Sequence, residues 1–155
     1  MPTISRSPAK STASSTPDAV AELRFLVTLG SITIGRFREC TGIAVEVETK
    51  DYSEGGLNDY VHKLPTRVKY PNVVLKRGVT HESALLDWFT ATRADYPGNW
   101  QQVTIQLLGP GAVPVQSWQF MDAYPVKWTG PNLNAGSNQI ATETLEMVHK
   151  GFRKA

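Results

Sequence analysis

Leu23-Arg24-Phe25-Leu26-Val27-Thr28-Leu29-Gly30-Ser31-Ile32-Thr33-Ile34-Gly35-Arg36-Phe37 is the stretch that decides the fold class. Leu23, Phe25, Val27 and Leu29 alternate with Arg24, Leu26 and Thr28, the two-residue period of a strand with one buried face. Gly30-Ser31 supplies a tight turn, and Ile32, Ile34 and Arg36-Phe37 begin a second strand, so a hairpin is expected. Thr41-Gly42 breaks that strand. From Ala44 to Lys50 the alternation returns, with Val45, Val47 and Thr49 on one side and Glu46, Glu48 and Lys50 on the other. That second face is too charged for a core and must meet water or a partner.

Outward from this stretch the same short-strand rhythm continues. Val73-Val74-Leu75 is a short strand closed by Lys76-Arg77-Gly78. Val103, Ile105 and Leu107 alternate with Thr104 and Gln106 up to the Gly109-Pro110-Gly111 turn. Trp118, Phe120 and Met121 lie on a strand ending near Tyr124-Pro125, which Val126-Lys127-Trp128 continues through a kink or bulge. A polar loop from Pro131 to Asn138 precedes a last strand from about Gln139 to His149, with Thr142, Glu143, Thr144 and Glu146 expected to be exposed. One helix stands out. Thr80 is its expected N-cap, Glu82 lies in its first turn, Arg93 in its last, and Leu85, Trp88, Phe89 and Thr92 form a stripe at helical spacing. Many short strands with one helix predict a mainly β fold, a sandwich or small barrel with the helix packed beside it.

At 155 residues the chain is long enough for one domain with a real core. Residues 1–21, rich in Ser, Thr, Ala and Pro, read as a flexible arm before a domain at 22–155. Sixteen basic and fourteen acidic side chains leave a net charge of +2, which lacks the basic footprint of a nucleic-acid binder and suits self-association. No segment approaches the ~20 apolar residues of a membrane helix, so no membrane anchoring is expected. The start lacks the apolar core of a secretion signal, and cytoplasmic synthesis follows as an expectation. Cys40 is the only cysteine, which excludes an internal disulfide and reads as a small buried apolar residue.

Catalysis needs converging groups, and few candidates exist. His62, His81 and His149 have no metal-ligand spacing. Glu46 and Glu48 share one solvated strand face, which is no acid–base pair. Gly55-Gly56 lacks the Lys and Ser or Thr of a phosphate cradle, and no nucleophile elbow occurs. The expectation is no catalytic residue, no cofactor and no metal.

Between about Tyr52 and Lys69 the chain reads as a polar loop, longer than the ~12–15 residues above which a connection calls for a special explanation. A long loop without chemistry is expected to bind, here to other copies of the same chain. The residues of this loop carry a resemblance. Tyr52-Ser53-Glu54-Gly55-Gly56-Leu57-Asn58, Lys63-Leu64-Pro65 and Leu75-Lys76-Arg77-Gly78-Val79-Thr80 resemble the central block of contractile-phage tail tube proteins and of the inner tubes of related injection systems. Trp118-Gln119-Phe120, Ala123-Tyr124-Pro125-Val126-Lys127-Trp128, Pro131-Asn132-Leu133-Asn134-Ala135 and Ile140-Ala141-Thr142-Glu143-Thr144-Leu145-Glu146 extend the similarity over roughly residues 22–151. Thr66 departs from the family, which usually carries Gly after Leu-Pro.

The resemblance implies two packed antiparallel sheets with one flanking helix. It further implies six copies closing into a ring and rings stacking into a hollow tube inside a sheath. The partners are then the chain itself, a sheath protein, baseplate or spike and tail-terminator proteins, and DNA or protein cargo in the bore. By position, the inter-subunit loop comprises Tyr52, Glu54, Gly55, Gly56, Asn58, Lys63, Leu64 and Pro65, with Glu54 and Lys63 able to make charge-assisted contacts across the joint. Two other readings remain open: a tube-initiating baseplate or adaptor protein of the same fold, and a monomeric ligand- or cargo-binding β-barrel, which predicts a closed apolar pocket.

Overall fold

The fold is taken from a computed structural model, which describes residues 24–53, 55–56, 60–98, 100–136 and 138–155. The N-terminal arm therefore lies outside the described residues. The expected hairpin is present as β1 (Arg24–Leu29) and β2 (Ile32–Phe37). It is followed by β3 (Glu39–Thr41), β4 (Glu46–Tyr52), β5 (His62–Lys69) and β6 (Val73–Gly78). The helix α1 (Ala84–Ala94) leads to β7 (Gln101–Leu108), β8 (Pro114–Thr129), β9 (Thr142–Val148) and β10 (Gly151–Lys154).

Eight strands form one antiparallel sheet in the order β2-β1-β7-β8-β9-β6-β3, with β10 also paired to β8. This sheet folds over on itself because β8, 16 residues long, serves both halves. Its first part pairs with β7 and β10, and Tyr124 to Thr129 pairs with β9. The crossing is marked by a register shift between Pro125 and Lys127, the expected bulge, and by a left-handed Asp122. On the opposite side only Arg38 separates β2, which belongs to the first half, from β3, which pairs with β6 in the second. The strand expected to run from Ile32 towards Thr41 is thus two strands. The halves are bent around a single core in which Val27, Ile105 and Phe120 of one half meet Leu75, Leu145 and Met147 of the other, all fully buried. Two packed antiparallel layers, closed towards a barrel, are the result.

The alternation of β2 slips at Gly35, so that Ile34 and Phe37, an odd number of residues apart, both face inward. Gly35 has φ +149°, and a Cβ there would meet Arg77 Nη1 at 2.5 Å. Gly42 is bound more tightly: at φ +87° a Cβ would lie 2.0 Å from the carbonyl oxygen of Asn72.

The helix starts at Ala84, with Ser83 in the N-cap position, not at Thr80. The preceding segment is tied to the body outside the helix, because Val79 N–H donates to Ala141 O and the Glu82 carbonyl accepts Arg77 Nη2 at 3.2 Å. Of the expected stripe, Leu85, Trp88 and Thr92 are buried and Phe89 is half-buried. The helix packs on β8 and β2, flanking the fold.

The C-terminal segment departs from expectation in two ways. The strand ends at Val148, and the chain turns back as β10 along the first part of β8. Glu143, expected to be exposed, is 8% exposed and points inward beside Leu145 and Met147; Thr142, Thr144 and Glu146 are half-buried. Its partner explains this. Arg77, 3% exposed, donates from Nε to Glu143 Oε1 at 2.5 Å, from Nη1 to Ile34 O at 3.4 Å and from Nη2 to Glu82 O. The guanidinium also lies over the Phe37 ring, and Trp128 Nε1 donates to the second carboxylate oxygen at 3.2 Å. One buried ion pair thereby ties β6, β9, β8, β2 and the approach to α1 together.

Candidate functional site: a two-stranded arm

The segment from Tyr52 to Lys69 is not one long loop. Its second half is β5, which pairs antiparallel with β4, and among the described residues these two strands pair with no other strand. The register puts Val47 opposite Val68, Thr49 opposite Pro65, Lys50 opposite Leu64, Asp51 opposite Lys63 and Tyr52 opposite His62, with one bulge between Val47 and Thr49. The bulge explains how Pro65, which has no N–H to give, is accepted. Thr66 uses its hydroxyl there, donating to Glu48 O at 2.9 Å.

A hairpin alone is marginally stable in water, and this one has little to bury. Val47 and Val68 are each 50% exposed although they face one another, and Leu64 is 51% exposed. Val45, Tyr52, Tyr60 and Val61 are exposed too. The face opposite Val47 is charged near the root, where Glu48 holds both Arg67 and Lys69. Exposed ion pairs of this kind contribute ~0.2–1 kcal/mol each, so they brace the arm without accounting for it. An apolar strip on two unpaired edges, projected on a polar hairpin, is a surface made to be covered.

Of the eight residues expected in the inter-subunit loop, Tyr52, Lys63, Leu64 and Pro65 lie on the paired strands and Gly55 and Gly56 in the turn between them, Gly56 at φ +117°. Glu54 and Asn58 lie outside the described residues. Lys63 faces Asp51 across the ladder. Sequence reasoning missed Val45, Val47 and Val68 as part of the exposed apolar strip, although the alternation from Ala44 to Lys50 had singled out the first two.

Elsewhere, no group of three His, Cys, Asp or Glu side chains is placed to hold a metal ion among the described residues. Cys40 packs against the core, and burial pushes its thiol up to about 12, the opposite of an activated nucleophile. Among the described residues, core side chains such as Val27, Leu75 and Phe120 pack together between the two halves.

The T4-like virus tail tube protein gp19 family matches residues 21–153. The chain belongs to this tail tube family. Among solved structures, the tail tube protein described here is similar to a chain of the anti-feeding prophage baseplate, 6-fold symmetrised. That match has 30% identity, covers 91% of this chain and 97% of that one, and has a TM-score of 0.72. It is similar to a chain of the sheath–tube complex of the PVC extracellular contractile injection system in the extended state, at 25% identity over 85% and 88% of the two chains, with a TM-score of 0.73. Hcp1 from Flavobacterium johnsoniae shares the fold at 13% identity, covering 85% of this chain and 94% of that one, with a TM-score of 0.52. No curated protein matches the chain significantly by sequence. This tail tube protein is a structural subunit of the phage-tail type, not an enzyme.

Proposed function

We propose that this protein builds the hollow inner tube of a contractile tail or injection system, six copies closing a ring and rings stacking end to end, with the β4–β5 arm as the coupling element. The observation that carries the reading is the arm itself: exposed valines, leucine and tyrosines on two strands that its own body leaves uncovered. Covering the open half of each such side chain stabilises by roughly 1 kcal/mol. Head-to-tail contacts repeat that gain in every copy of a closed ring or stack. The similar chain in a 6-fold symmetrised baseplate and the similar chain in a sheath–tube complex support six-fold closure and a sheath as partner. Structures of a tube-terminating cap and of a sheath/tube terminator contain similar chains and support partners at the tube ends. In this reading the subunit is made and assembled in the cytoplasm, baseplate or spike proteins template it, and DNA or protein passes through the bore.

A tube-initiating baseplate or adaptor role is the second reading, favoured by the baseplate match at 30% identity. It predicts a single ring that does not extend, which electron microscopy of the purified protein distinguishes from tubes. The arm is tested by deleting Ser53 to His62. The variant is expected to keep its unfolding transition and to lose all rings and tubes in sedimentation velocity. Tubes formed by the deletion variant, or a strictly monomeric wild type even beside sheath and baseplate partners, overturn the proposal.

A further inference from the structure

An arm that couples copies needs a receiving surface, and the body offers one of matching chemistry. The exposed Ile140, just before β9, lines three adjoining concavities of about 420, 220 and 330 Å³. The first and second share Lys76 and Thr142, and the second and third share Arg38 and Gly78, so together they form one trough. Its far end is lined by Arg24, Arg36 and Arg38, all at the surface. Arg24 and Arg38 each already hold an interaction within the chain. Arg77 also reaches the trough wall but is turned to Glu143. Among the described residues a single carboxylate, Glu39, lines the trough, and Lys76 Nζ stands 3.8 Å from it. At this end the wall also carries the apolar Ile140 and the half-exposed Val79, whereas the largest concavity is lined mainly by polar side chains such as Asn132, Asn134 and Gln139.

The end of the arm is its complement. Residues 52–60 contain Glu54 and Asp59 with no Lys or Arg, and carry Tyr52, Leu57 and Tyr60 beside them; Asp51, just before, faces Lys63 across the ladder. Carboxylates suit arginine forks, tyrosine rings suit guanidinium faces, and the remaining apolar atoms suit Ile140 and Val79. A seven-residue strand such as β4 spans ~23 Å, enough to carry this tip to another copy.

We propose that the trough between Arg36 and Ile140 receives the acidic, tyrosine-bearing tip of the arm from a neighbouring copy. This rests on the tube reading and names the surface through which it works. Complementary charge at such a joint sets register and the rate of docking as well as affinity.

The test is a charge exchange. Arg36→Glu alone and Glu54→Arg with Asp59→Arg alone are each expected to raise the protein concentration needed for ring or tube formation about tenfold or more. The combination of all three in one chain is expected to recover most of that loss. Thermal unfolding of each variant, unchanged from wild type, shows that assembly and not folding is being read. If wild-type tubes form and Arg36→Glu assembles equally well, or the exchange restores nothing, the trough is not the receptor and the tube reading stands. If the wild type does not assemble even with sheath and baseplate partners, the tube reading falls and the receptor with it.

Discussion

Glu143→Ala is the most incisive perturbation of the fold. In the native protein its carboxylate accepts Arg77 Nε at 2.5 Å and Trp128 Nε1 at 3.2 Å. Removing it leaves a guanidinium that is 3% exposed with two carbonyl acceptors and an aromatic ring, but no counter-charge. Breaking a buried pair from one side costs about 3–5 kcal/mol. The stranded indole N–H adds about 1–3 kcal/mol if water does not reach it. These penalties share one site and overlap, so the expected loss is about 4 kcal/mol, a large part of the ~5–15 kcal/mol available to a domain of this size. At ~2–4 °C per kcal/mol, the midpoint should fall by roughly 8–16 °C. Urea unfolding followed by circular dichroism measures the change directly, with the slope unaltered if only stability has changed. Arg77→Lys should not substitute, since an ammonium cannot reach the carboxylate and two carbonyls in one plane. The paired replacement Arg77→Met with Glu143→Leu should recover part of the loss, because it removes both desolvated charges together while Trp128 Nε1 stays without its acceptor. A loss below about 1 kcal/mol for Glu143→Ala, or a paired replacement worse than the single one, would refute the reasoning.

Two further outcomes follow from named contacts. Gly42→Ala should destabilise by at least ~2 kcal/mol in the same urea assay, since the new Cβ meets Asn72 O at 2.0 Å in a left-handed backbone; an effect near zero would mean that the β3–β4 link moves freely. His149 is packed among Tyr70, Phe120 and Phe152, with Nε2 at 3.2 Å from Pro71 O, and burial lowers its pKa although the bond to Pro71 opposes the shift. A depressed folded-state pKa gives stability that is present above the ordinary value of about 6.5 and is lost as pH falls through the folded value. Wild type should therefore lose more stability than His149→Gln between pH 7 and pH 5, and equal slopes would remove His149 from the account.

Much of this architecture is legible in residue order, and the exceptions have physical causes. Val27, Val103, Ile105, Phe120 and Leu145 sit on strands with one buried face, where alternation reports burial directly. Pro125 betrayed the bulge at which β8 changes partners. β5 was hidden because His62–Lys69 buries almost nothing on either face, and a strand without a core side has no period to read. Glu143 was misread for a different reason. A carboxylate on a strand looks like a solvent-facing residue until its arginine, 66 positions earlier, is brought beside it. The helix start shifted because tertiary hydrogen bonds tie Val79 and Glu82 to other parts of the fold, which outweighs the local preference of Thr80 for a cap. At the candidate site, the glycine pair and polar tip were visible, whereas the valine strip became meaningful only once both strands stood clear of the body.

The shared strand β8 has a mechanical meaning for the subunit. Because one unbroken backbone is stitched through both halves, wedging them apart cannot proceed by opening a greasy seam. It must either tear β7 and β10 from one end of that strand or β9 from the other. A load directed along β8 meets those ladders side-on, many bonds at once, so the strand behaves as a rivet and not as a clasp.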